Sequence, residues 1–98
     1  MKAEDITVDV RLTSKEGSKI KAFADVSIPF GSDGVITIFG FSILHGDSRP
    51  ARVMAPARKG AKAWFPVIEL TGRVRQLLES TVLAKYEQAL ETTDHEMH

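Results

Sequence analysis

The chain has 98 residues, with 13 basic and 13 acidic side chains and no cysteine. That length fits one domain with a modest core, burying roughly 65% of the surface its unfolded chain exposes. Without thiols there is no disulfide, no thiolate metal site and no cysteine nucleophile. A formal net charge of zero argues at first against nucleic acid, whose binders are usually basic. No stretch of 18 apolar residues is present to span a membrane as a helix. Met1-Lys2-Ala3-Glu4-Asp5 lacks the apolar core of a signal peptide. The expectation is a cytoplasmic protein with no cofactor.

Residues Ile6 to Thr13 alternate apolar with polar, the period of a half-buried strand. Ser14 to Ser18 contains Gly17 and suits a hairpin loop. Lys19 to Ile28 alternate again, with Ile20, Ala22, Ala24, Val26 and Ile28 on one face. Phe23 is the exception on the polar face. Pro29 and Gly31-Ser32-Asp33-Gly34 predict a turn.

Val35 to Leu44 is nearly continuously apolar and reads as a central strand buried on both faces. Gly40 within it marks a bulge or a close packing contact. His45 to Pro50 is a loop by composition, and Arg52 to Ala55 a short strand. Pro56 to Lys62 reads as a basic loop. Ala63 to Ile68 reads as another strand, at an edge because of Pro66.

Leu70 to Glu91 is the one strong helix, with Thr71 as N-cap. Gly72 is a weak helix former in the first position. Val74, Leu77 and Leu78 form one apolar patch; Val82, Leu83, Tyr86 and Leu90 form a second, rotated by more than about 90° from the first. One sheet does not easily cover both. The second patch, or an edge strand, is therefore the expected dimer interface. Thr92 to His98 reads as a flexible polar tail after a single domain over residues 1–91. The fold class expected is α+β: an antiparallel meander of about five strands followed by one long C-terminal helix.

The zero net charge is a cancellation. Residues 1–48 are net −2, residues 49–75 net +6 and residues 76–98 net −4. The middle block holds Arg49, Arg52, Arg58, Lys59, Lys62, Arg73 and Arg75 against Glu69 alone. Arginine forks onto phosphate or guanine. Trp64 and Phe65 lie in the same block; they read first as core residues and second as platforms on which bases stack. Arg73 and Arg75 oppose the dipole at a helix N-terminus, which hints at another use.

His45-Gly46-Asp47 is the one place where a general base or half a metal site could sit. No serine, second histidine or paired carboxylate at motif spacing supports it, and the glycines form no phosphate-binding pattern. His45 reads as a loop residue capping a strand end. The chain is not expected to be an enzyme or to bind a metal.

Several short segments together resemble the SpoVG family (stage V sporulation protein G, septation regulator). They are Asp9-Val10-Arg11, Lys21-Ala22-Phe23-Ala24-Asp25-Val26-Ser27-Ile28, Ile43-Leu44-His45-Gly46, Ala55-Pro56-Ala57-Arg58-Lys59, Pro66-Val67-Ile68 and Val82-Leu83-Ala84-Lys85-Tyr86-Glu87. The likeness covers about residues 6 to 90. It implies a small homodimeric α+β domain that binds DNA, and in some members RNA, in gene regulation tied to septation and sporulation. It also implies nucleic-acid contact by Arg58 and Lys59; local charge extends the expected site to Arg49, Arg52, Lys62, Arg73 and Arg75. Two departures stand out. Phe39-Gly40-Phe41-Ser42 is uncharged where the family carries a charged stretch, and the loop after Lys59 is shorter. The alternative expectation is a protein-interaction module in cell division that does not touch nucleic acid.

Overall fold

The computed structural model describes residues 5–13, 17–46 and 48–96, with side-chain exposure to residue 92. Among the described residues, six strands, one short 3-10 turn (Gly31–Asp33, between β2 and β3) and one α-helix follow in order: β1 (Thr7–Leu12), β2 (Ile20–Pro29), β3 (Val35–Leu44), β4 (Arg52–Met54), β5 (Ala57–Lys59), β6 (Trp64–Pro66) and α1 (Gly72–Glu96). β1 to β4 form one antiparallel sheet in sequence order. β5 and β6 form a separate two-stranded hairpin. This is the expected α+β fold with one more strand: Ala57–Lys59, read as loop, is β5.

Alternation in the first two strands translates directly into faces. Ile6, Val8, Ala22, Ala24, Val26 and Ile28 are buried, and the intervening residues are exposed or half-buried. β3 adds Phe41 and Ile43, and α1 adds Leu78, Val82 and Tyr86. The helix lies against β1, β2 and β4. Each buried Ile, Val, Leu or Phe side chain in this core contributes about 1.5–3 kcal/mol before ordering costs, and each alanine less.

Three expectations are corrected. Val82 and Tyr86, assigned to a dimer interface, are buried in this chain's own core, and Leu83 and Leu90 pack half-buried against it. Leu78, Val82, Tyr86 and Leu90 step by four residues. Such a row is inclined to the helix axis, and a twisted sheet can follow it. Val74, at the far end of that path, is the residue left 41% exposed. Second, the helix continues through Thr92 to Glu96, so most of the expected tail is helical; Met97 and His98 lie outside the described residues. Third, β3 is not buried throughout. Only Ser42–Leu44 pairs with β4. Val35, Ile36 and Phe39 are exposed.

Gly40 sits in a bulge. Ala24 pairs with Phe41 and Val26 with Ile38, so Asp25 faces two residues of β3. Gly40 has φ of 88°, in the left-handed region, which glycine enters without penalty. Gly72, at φ 61°, turns the chain into the helix. Its poor helix propensity is the corollary of that use.

Candidate nucleic-acid interface

The basic block does not form one continuous patch. Its centre is the β5–β6 hairpin. Ala57 pairs with Pro66, Arg58 with Phe65 and Lys59 with Trp64. The Val67 N–H donates to the Pro56 carbonyl at 3.0 Å, and the Gly60 N–H donates to the Ala63 carbonyl at 2.8 Å across the turn. The arm therefore runs from Pro56 to Val67.

Residues directly opposite in an antiparallel pair share a face. Arg58 and Phe65 thus lie on one side of the arm, and Lys59 and Trp64 on the other. Each face pairs a cation with an aromatic ring. Trp64 is 66% exposed and Phe65 49%. The expectation that both are core residues is corrected. The correction has a simple cause: the arm forms its own small sheet, which α1 does not cover. Among the described residues, Arg58, Lys59 and Lys62 make no ion pair. Lys59, Lys62 and Trp64 line a shallow concavity of about 160 Å³ at the turn.

Gly60 fixes the arm's shape. A Cβ there would overlap the Phe65 ring and come within 3.0 Å of the Ala63 carbonyl oxygen. Phe65 is thereby laid over the turn.

The remaining cations stand apart from the arm's strands. Arg52 opens β4, opposite Leu44, and Arg49 lies in the preceding loop. Arg73 lines a concavity with Gln76, Leu77 and Ser80 on the first turns of α1. Arg75 is committed locally: its Nε donates to Glu79 Oε1 at 3.0 Å, an i,i+4 pair. Glu79 neutralises the arginine that the sequence left misplaced for the helix dipole. All seven cations are exposed.

His45 Nδ1 shares a 2.9 Å hydrogen bond with the Tyr86 hydroxyl, and the two rings meet edge to face at 5.7 Å. Burial pushes the Tyr86 hydroxyl above its ordinary pKa. His45 therefore fastens the end of β3 to the helix; Asp47, its neighbour in the loop, lies outside the described residues. Local patterning carries no sign of this pairing, which joins positions 41 residues apart.

Among the described residues, no helix is long and apolar enough to cross a membrane. No protein-family model, curated protein or solved structure matches this chain.

Proposed function

We propose that this chain is a SpoVG-like nucleic-acid-binding regulatory protein. It acts as a homodimer on DNA, and RNA is a second ligand of the same chemistry. Septation and sporulation control are the processes the resemblance implies. The observation that carries the reading is the β5–β6 arm. Arg58, Lys59 and Lys62 supply phosphate contacts, and the exposed Trp64 and Phe65 rings offer base-stacking surfaces beside them. Stacking favours unpaired bases, so the arm suits single-stranded or opened segments better than intact duplex.

The test is fluorescence anisotropy with labelled single- and double-stranded oligonucleotides across a salt series. Affinity is expected to fall with salt. The double variant Arg58→Ala/Lys59→Ala is expected to flatten the log–log slope by about 1.4 on single strands. Arg75→Ala, whose cation is already paired with Glu79, is expected to change the slope least. Salt-independent binding, or an unchanged slope in the double variant, overturns the reading. So does absence of binding at ~150 mM salt together with a stable protein partner, the outcome for an interaction module.

A further inference from the structure

The β2–β3 hairpin extends past the region that the helix covers, and it is apolar where it does so. Phe30, Val35, Ile36 and Phe39 are all exposed, Phe39 at 70%. β3 pairs with β2 along its length, yet β4 covers only Ser42–Leu44 on its other side. Among the described residues, no strand pairs with the outer edge of Val35–Phe41. Exposed edges are usually guarded by lysine, proline, a bulge or a short length; of these, this edge has only the Gly40 bulge, near its β4 end. This edge reads Val-Ile-Thr-Ile-Phe-Gly-Phe, with no charge and no proline. Its β-branched and aromatic residues are the strongest strand formers.

The whole-molecule dimensions agree. The accessible surface is 7548 Å², where a compact monomer of this size exposes about 5,500 Å². The excess is more than the roughly 800 Å² that each partner contributes to a standard interface. The radius of gyration is 14.5 Å, against about 13 Å for a compact domain of 100 residues.

We infer that the free edge of β3 is the surface on which a second copy of this chain docks, strand to strand and antiparallel about a two-fold axis beside Ile38. The inference rests on the homodimer reading above and supplies its surface. A second copy fits better than another partner for two reasons. An isologous pairing sets the strand against itself, and β3 has no charge to repel its own image. Antiparallel self-pairing also consumes the β3 edge of both copies at once, so pairing through this edge closes at two chains and does not propagate. Centred on Ile38, it brings the hairpin tip of one copy, with Phe30 and Val35, beside the exposed Met54 at the end of the other copy's β4. Nucleic acid is a poor occupant of this edge, which offers it no cation.

The experiment is light scattering coupled to size exclusion, with a dilution series for the dissociation constant. The wild-type chain is expected at twice its own mass. Phe39→Lys and Phe39→Glu, each at a solvent-exposed side chain, are expected to raise the dimer dissociation constant on the order of tenfold or more. Mixing the two variants is expected to restore a heterodimer by opposite charge, a rescue that a folding defect does not give. A wild-type monomer at all concentrations overturns this surface and the homodimer together. A wild-type dimer that survives both variants overturns the surface alone. Variants that weaken the dimer but fail to rescue each other also overturn it. Salt-dependent oligonucleotide binding by the arm is scored separately, so its loss does not mimic any of these results.

Discussion

His45 and Tyr86 share a 2.9 Å hydrogen bond that ties the end of β3 to the middle of α1. Tyr86 is buried and is the one tyrosine in the chain, so its ionisation is separately observable. Burial raises its pKa in the folded state. The sign follows: the protonated hydroxyl is favoured by folding. The stability it contributes is whole below the ordinary tyrosine value of about 10, and is lost as pH climbs through the raised folded value. Thermal unfolding is expected to weaken at alkaline pH as tyrosinate absorbance grows, and Tyr86→Phe is expected to remove that added sensitivity. At neutral pH the same variant costs about 1 kcal/mol, because the His45 ring loses its partner. An alkaline limb identical in Tyr86→Phe and wild type contradicts this.

Asp25 controls the acid side. Its carboxylate accepts from Arg11 Nη1 at 2.6 Å and Nη2 at 3.2 Å, and from the Gly40 N–H at 3.1 Å. The Arg11 hydrogen bond foremost, and the Gly40 N–H with it, hold its pKa below the usual carboxylate range. Folding therefore favours the ionised form. The stability is present above the unfolded value of about 3.9 and is lost as pH falls through the lowered folded one. Asp25→Asn is expected to lower the melting temperature by a few degrees at neutral pH, with the gap closing as pH falls below the ordinary carboxylate value of about 3.9. A gap that stays constant with pH shows that Asp25 acts through packing instead.

The helix ridge makes a sharper stability prediction. Leu78→Ala empties a fully enclosed site and is expected to cost 2–5 kcal/mol, out of a total of about 5–15 for a chain of this size. Val74→Ala, one turn earlier and 41% exposed, is expected to stay within about 0.5 kcal/mol. Urea unfolding of the two variants reads the difference. Equal losses mean that Val74 is covered in solution and that the ridge is misplaced.

Gly60→Val separates the arm from the core. The new side chain displaces the Phe65 ring from the turn, while β5–β6 stands outside the main sheet. Oligonucleotide affinity is expected to fall severalfold with the melting temperature nearly unchanged. A large loss of stability shows that the arm supports the core.

Much of this protein is legible in one dimension. The alternation of Val8 with Asp9 and of Val26 with Ser27 assigns the faces of β1 and β2, because successive side chains of a strand point to opposite sides. The same rule carried the five-strand expectation to the right fold class, and Gly40 was legible as a bulge or a close packing contact, of which the fold shows the bulge. The short likeness at Arg58-Lys59 and the +6 block directed attention to the arm. The missed strand at Ala57–Lys59 has too few apolar residues to show a period.

The remainder was settled by long-range contacts. Local periodicity states which residues share a face, and it is silent on what covers that face. Val82 and Tyr86 lie on a helix face that a flat sheet does not easily reach; in the fold they are buried in the chain's own core. Val35 and Phe39 looked buried because their run is apolar; β4 is three residues long and leaves their edge bare. Trp64 and Phe65 looked like core until their hairpin stood apart from the helix. Sequence alone determined the periods, turns and charge blocks. Coverage, and with it the choice between core, arm and open edge, was decided by tertiary packing, because it depends on distant segments meeting.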